Sequence, residues 1–228
     1  MLLIHYIYIM NIWKERFNLA MSSGGLKATF FWIAKKILRK EVHFIYTCKI
    51  NSKNNHNKIK FHFITLHTKK DILEIHYETL KQLEKQSGMS IINLLKNNNS
   101  IYALLDENNV VSQINIYWGK HAKVDYPVNL TIHIKFDDVF VGYLFTSPHY
   151  RGRGCAKILM DMAKQDVFNF GYSRMIAHIR STNVPSLKAF RKSGWQQSGW
   201  IITSTDGKLL TFRSTCKPEL FVSKCLEI

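Results

Sequence analysis

The chain is poor in cysteine and in acid. Its four cysteines, Cys48, Cys155, Cys216 and Cys225, are scattered through 228 residues without a C-x-x-C spacing. That argues against a disulfide scaffold and a structural zinc site, and suits a reducing, cytoplasmic setting. No apolar run reaches the ~20 residues of a membrane span. Met1–Trp13 is apolar but short, and it lacks a positive segment ahead of it, so it makes a poor signal peptide. No internal repeat is visible, and no G-x-x-x-x-G-K-[ST] phosphate loop occurs. What the chain has is 46% hydrophobic and 13% aromatic residues, enough to bury a core.

Acid is scarce chiefly at one end. Residues 1–70 hold 13 Lys/Arg against 2 Asp/Glu, whereas residues 71–228 hold 19 against 14. The pattern divides the chain into a basic N-terminal extension, 1–58, and a nearly balanced domain, 59–228. Within the extension Leu26, Phe30, Ile33 and Ile37 recur at helical spacing, with lysines mostly on other faces. Two readings of residues 26–42 follow. The stripe packs on the domain, or a basic amphipathic helix lies on an anionic membrane surface or nucleic acid. The Asn-rich stretch 51–60 has no apolar period and reads as a linker.

Beyond the linker the periodicity is regular. A first strand is expected at 61–65, a helix over 71–86 and a short helix over 90–96. Strands follow at 101–106 and 111–118, joined by a hairpin turn. A polar stretch, 119–129, reads as a long loop before an apolar run at 130–136. A strand over 137–148 leads into a helix from 155 that Gly171 ends. Then come a strand at 175–179, a helix at 184–193 and a terminal hairpin turning at Asp206-Gly207.

The junction "HYRGRGCAKIL" (149–159) puts Arg151, Gly152, Arg153 and Gly154 at a strand-to-helix boundary. Unpaired N–H groups and a partial positive charge gather at a helix start, glycines let backbone approach closely, and arginines add charge. Together these suit a phosphate.

The surrounding "LFTSPHYRGRGCAKIL" resembles the acetyl-CoA-binding motif of the GNAT superfamily of N-acetyltransferases, whose core is [Q/R]-x-x-G-x-[G/A]. Further on, "NVPSLKAFRKSGW" resembles the second motif of that family and supplies Asn183, Ser186, Phe190, Lys192, Gly194 and Trp195. The likeness spans roughly residues 60–215 and is sharp over 138–196. It implies an α/β fold (an α+β mixed sheet) with a central, mostly antiparallel sheet, flanking helices and a splayed strand pair holding CoA. By the same resemblance Arg151, Gly152, Arg153, Gly154, Cys155 and Ala156 cradle the pyrophosphate. Leu144, Phe145 and Thr146 pair with the pantetheine arm, and Asn183, Phe190 and Lys192 belong to the cofactor site.

The proton-transfer residues depart from the family pattern. Many members carry a tyrosine where this chain has Phe190, which cannot protonate a thiolate. His178 stands where several members hold a glutamate base, and a near-neutral imidazole can take an ammonium proton. Asp138 and Tyr143 are further candidates, and a packed core histidine is the competing account of His178. The expected activity is acetyl transfer from acetyl-CoA to a primary amine, with no metal. The alternatives are a CoA-binding protein without catalysis, and an acetyltransferase recruited to nucleic acid or membrane by its basic arm.

Overall fold

The run KEVHFIYTCK places β-branched and aromatic side chains on both parities, as a strand covered on both faces requires. In the computed structural model it is β1 (Lys40–Lys49), and its His43, Ile45 and Tyr46 are wholly buried. The structure describes residues 21, 25–26, 29–33, 35–50, 60–124, 130–135, 137–215 and the backbone of 221–224. The helical residues within 21–38 form α1. After β1 come β2 (His62–Leu66), α2 (Tyr77–Ser87), α3 (Ile91–Lys96), β3 (Asn99–Asp106), β4 (Asn109–Tyr117), β5 (His121–Lys123) and β6 (Leu130–His133). Then follow β7 (Asp138–Thr146), α4 (Cys155–Asn169), β8 (Arg174–Arg180), α5 (Val184–Lys192), β9 (Gln196–Ser204), β10 (Leu209–Ser214) and β11 (Phe221–Lys224).

Eight strands make the main sheet in the order β10-β9-β1-β8-β7-β4-β3-β2, and β11-β6-β5 make a smaller one. Among the described strands every pairing is antiparallel except β7 with β8. This is the mixed, mostly antiparallel sheet with flanking helices expected from the sequence. One core joins a face of the main sheet to α4 and α5, through Leu159, Met160, Ala163, Leu187 and Phe190. On the opposite face α2 and α3 cover β3, while Ile45, Phe140, Ile176 and Ile201 meet Ala122 and Ile132 of the small sheet.

Three sequence expectations change. The division at 58/59 put residues 40–49 in the extension, yet β1 is hydrogen-bonded on both sides, to β8 from His43↔Arg180 and to β9 from Lys40↔Ser204. β1 and β2 lie five strand positions apart, roughly 24 Å at ~4.8 Å per strand. The Asn-rich stretch joining them, 51–59, is outside the described residues and needs its length. Second, the stripe on α1 faces outward: Leu26, Phe30, Ile33 and Ile37 are 81%, 66%, 39% and 74% exposed. Phe31 turns inward instead, its ring 5.9 Å from Phe44, and Lys35 reaches the buried Glu41 at 2.8 Å. Third, the helix expected over 71–86 divides. Asp71 accepts the N–H groups of His67 and Thr68 to start a 3₁₀ turn, and His76 then caps α2. No described helix is long and apolar enough to cross a membrane.

Candidate active site

β7 and β8 run parallel from Asp138↔Arg174 to Val141↔Ala177, and their pairing stops there although both continue. A bulge sits at the point of parting. The pairing of β7 with β4 passes from Val141↔Ile116 to Leu144↔Ile114, so Gly142 and Tyr143 together oppose Asn115. Asn115 Oδ1 accepts the Tyr143 backbone N–H at 2.6 Å, and its amide donates to Asn99 Oδ1 at 2.7 Å. Asn99 in turn donates to the carbonyls of Leu94 and Asn97, which fixes its rotamer. A Cβ on Gly142 would stand 2.5 Å from Asn115 Oδ1, so only glycine admits this arrangement.

The parted strands enclose a cleft of ≈ 350 Å³ whose lining includes Gly142, Tyr143, Leu144, His178, Asn183 and Phe190. Leu144, Phe145 and Thr146 pair with β4 on one side only. Their other edge faces the gap left by β8, an edge to which an extended ligand arm can add as a strand.

β7 leads through a 3₁₀ turn, Pro148–Tyr150, into the glycine junction. Gly152 and Gly154 take the left-handed conformation, with φ of 78° and 79°. Nothing stands within 4 Å of where their Cβ atoms would be, so backbone shape rather than crowding demands glycine. No side chain caps α4 at Gly154, and the first-turn N–H groups are left to an anion. Arg151 is held by its Nε donating to the Thr146 carbonyl at 3.1 Å, and Arg153 lies over the Tyr150 ring. Cys155 is buried, its thiol pushed up by desolvation, so it serves the core more than a ligand. Ala156 packs partly buried beside it.

His178 lies on the face of β8 opposite α4. Its Nε2 is 2.7 Å from Nδ1 of His43 on β1, and Nε2 of His43 is 3.3 Å from Thr203 Oγ1. The two rings stack at 4.8 Å. Burial, then the neighbouring His43 and Arg180, hold the His178 imidazole well below its usual pKa. Desolvation likewise lowers His43 to about 4, against the opposing pull of Glu41. Both rings are therefore neutral near pH 7. The relay can run either way, and in the tautomer in which His43 donates to Thr203 and accepts from His178, Nδ1 of His178 keeps its lone pair.

The remaining sequence candidates divide. Tyr143 lines the cleft, but its hydroxyl donates to Gln113 at 2.8 Å, and burial raises its pKa, so it is a poor base. Asp138 is buried at the start of the parallel ladder, where both of its oxygens accept from the Arg174 guanidinium. It clamps β7 to β8 before they part and does not reach the cleft. Asn183 lines the cleft and also caps α5, accepting the Ser186 N–H at 3.3 Å. Phe190 lines it too, packed edge-on against Trp195. Lys192 is exposed in the last turn of α5 and is not among the described residues that line the cleft. Sequence reading missed His43, Thr203 and Asn115. It also missed a second cleft of ≈ 630 Å³ on the α3 and β5 side, which meets the first at Gly142 and Tyr143.

Known proteins give this arrangement a context. A comparison with curated protein sequences returns no match. Among solved structures, a GNAT-family protein from Novosphingobium aromaticivorans aligns with a TM-score of 0.51 at 10% identity, covering 72% of this chain and 63% of its own. An acetyltransferase of the same family from Colwellia psychrerythraea aligns at 0.46 and 14% identity, over 71% and 55%. An aminoglycoside N-acetyltransferase in complex with CoA aligns at 0.46 and 18%, over 68% and 100%. The chain thus spans less than two thirds of the first two, and at these identities the likeness concerns the fold. The model of the acetyltransferase (GNAT) family matches residues 67–195, more than half of the chain and all of the splayed strands, glycine turn and second motif. The chain belongs to the GNAT family of acetyltransferases.

Proposed function

We propose that this protein transfers an acetyl group from acetyl-CoA to a primary amine. The observation that carries the reading is the parting of β7 from β8 at the Gly142–Tyr143 bulge, with an uncapped helix start at the end of β7. The residues fit the co-substrate. Backbone N–H groups of the 152–156 turn take the pyrophosphate, Arg151 and Arg153 add charge, and the open edge of Leu144–Thr146 pairs with the pantetheine amides. When bound there, acetyl-CoA supplies an activated acyl group at the mouth of the cleft.

The chain's own residues then supply orientation and proton transfer. A backbone N–H of the Leu144–Thr146 edge offers a hydrogen bond to the thioester oxygen as charge develops on it. Nδ1 of His178 receives the ammonium proton, directly or through water, before nitrogen attacks the acyl carbon and the C–S bond breaks. The leaving thiolate takes its proton from water, since Phe190 has none to give. A thiol is acidic enough that this lowers the rate without preventing turnover. The buried, free thiols of Cys48 and Cys155 fit a reducing, cytoplasmic setting.

Acetyl-CoA mixed with a panel of primary amines tests the reading, with free thiol followed against time. Thiol release that depends on both amine and protein is expected. CoA binding without release from any amine would instead favour the non-catalytic reading that Phe190 motivates.

A second reading concerns place rather than chemistry. The outward stripe of Leu26, Phe30, Ile33 and Ile37 gives α1 the form of a surface-seeking helix, and residues 16–40 contain six Lys/Arg and no acid. Recruitment of the enzyme to an anionic membrane surface follows from it. Sedimentation with phosphatidylserine vesicles in low and high salt tests this, and a protein that stays in the supernatant under both conditions rules it out.

A further inference from the structure

The second cleft carries a charge pattern that the overall composition of the domain conceals. Its volume, ≈ 630 Å³, suits a small organic ligand. Among the described residues it shares Gly142 and Tyr143 with the first cleft, at the point where β7 parts from β8. At its mouth stand Lys96, in the last turn of α3, and Lys123, at the end of β5. Neither has a carboxylate partner among the described residues, and no Asp or Glu is among the described residues that line the cleft.

Four of the oxygens in this wall are already engaged. The carbonyls of Leu94 and Asn97 accept the Asn99 amide, Asn99 Oδ1 accepts from Asn115, and Asn115 Oδ1 accepts from Tyr143. Beside them the described lining holds the two lysines as its formally charged side chains, with the polar Asn97, Asn98, Tyr117 and His121.

We propose that this cleft receives the acceptor, and that the acceptor is a small amine carrying its own carboxylate, of the amino-acid or short acidic peptide class, and not a polycation. The inference rests on the acetyltransferase reading above and deepens it. The two lysines hold the carboxylate, leaving the amino group to reach Gly142–Tyr143. The same positive field disfavours the ammonium form of the bound amine, which helps present a neutral nitrogen to the acyl carbon. Bond changes are those of simple acyl transfer: the C–N bond forms, the C–S bond breaks, and the ammonium proton passes to His178 or water.

The test compares anionic amines (glutamate, glutamyl-alanine), a neutral-backbone amine (glycinamide) and a polycation (spermidine) by calorimetry on protein saturated with CoA. The anionic amines are expected to bind at least tenfold more tightly than spermidine, with an advantage that shrinks as salt is raised. Lys96→Glu/Lys123→Glu, two exposed positions whose reversal leaves the fold intact by circular dichroism, is expected to invert that order. Spermidine binding as tightly as glutamate to the unaltered protein overturns the proposal, as does an order unchanged by the double reversal. Thiol release, read on the same mixtures, keeps the two ideas separate. Glutamate bound, with no thiol released from any amine of the panel, refutes the transferase reading while the anion preference of the cleft stands.

Discussion

Asn115 holds the backbone of Tyr143. Its side-chain oxygen accepts that N–H at 2.6 Å, across the sheet from Gly142, whose missing Cβ makes the approach possible. The contact fixes the bulge at which β7 leaves β8, so a side chain on β4 sets the shape of a cleft on the far edge of β7.

The first prediction follows directly. Gly142→Ala forces a Cβ onto Asn115, which is buried and tied to Asn99, so the side chain has little room to yield. Overpacking of this kind costs about 1–3 kcal/mol. Chemical denaturation is expected to show that loss, and acetyl-CoA turnover is expected to fall further than stability alone explains. Asn115→Ala removes the hydrogen bonds without crowding and is expected to lower kcat more than it raises KM.

The glycine turn gives the second. Gly154→Glu puts a side chain on a residue with φ of 79° and a negative charge at the start of α4. CoA affinity measured by calorimetry is expected to fall at least tenfold in a variant whose melting curve remains cooperative. Unchanged affinity would move the pyrophosphate away from this turn.

His178 supplies the third. His178→Ala is expected to lower kcat/KM by roughly 10²–10⁴ while leaving CoA binding intact. Because burial and the neighbouring His43 and Arg180 depress the His178 pKa, the neutral base persists below pH 6.5. Activity of the unaltered enzyme is lost only as pH falls through that depressed value. A pH–rate profile of the alanine variant is expected to lack this acid limb, and an identical limb would assign it to another group.

The fourth concerns stability. His43 titrates at about 4 in the folded protein and near 6.5 when unfolded. Between those values the unfolded chain binds the extra proton, so stability is lost as pH falls from 6.5 toward 4 and is fully present above 6.5. The loss is on the order of 3 kcal/mol for this fully buried ring. Glu41, Arg180 and Lys35 act on it as well. Urea denaturation at pH 7 and pH 4.5 measures the difference, and His43→Gln is expected to reduce it, with the similarly depressed His178 supplying the remainder.

Truncation gives the fifth. Removing residues 1–38 deletes α1 and the Lys35 partner of Glu41 but spares β1, so a cooperative transition at a lower Tm is expected. Removing 1–57 also takes away Ile45 and Tyr46 from the middle of the sheet, and cooperative unfolding is expected to vanish. Thermal melts of both variants decide it.

What could be read from the chain alone was what short stretches encode by themselves. The glycine turn, the Asn183 cap and the strand-to-helix order after residue 137 are local, and each sits where its residues demand. β1 escaped because a basic arm and an Asn-rich stretch flank it, and charge outweighed its β-rich interior. The His178–His43 pair joins residues 135 apart and the Asn115–Tyr143 contact spans 28, so no periodicity links them. Lys192 is two residues beyond Phe190 and so lies on the other side of α5 from it, a placement that the motif by itself does not give.

β1 also sets a timetable. It is made early on the ribosome, yet its neighbours β8 and β9 come from the last third of the chain: His43 pairs with Arg180 and Lys40 with Ser204. At ~5–20 residues per second it emerges roughly 7–30 s before its partners. During that interval a strand whose His43, Ile45 and Tyr46 are wholly buried in the fold has two unsatisfied edges, the condition in which nascent chains aggregate or recruit chaperones. Closure through such distant pairings is intrinsically slow. Yield of this protein in a host cell is therefore governed by the rate at which its C-terminal third is delivered to a strand already waiting.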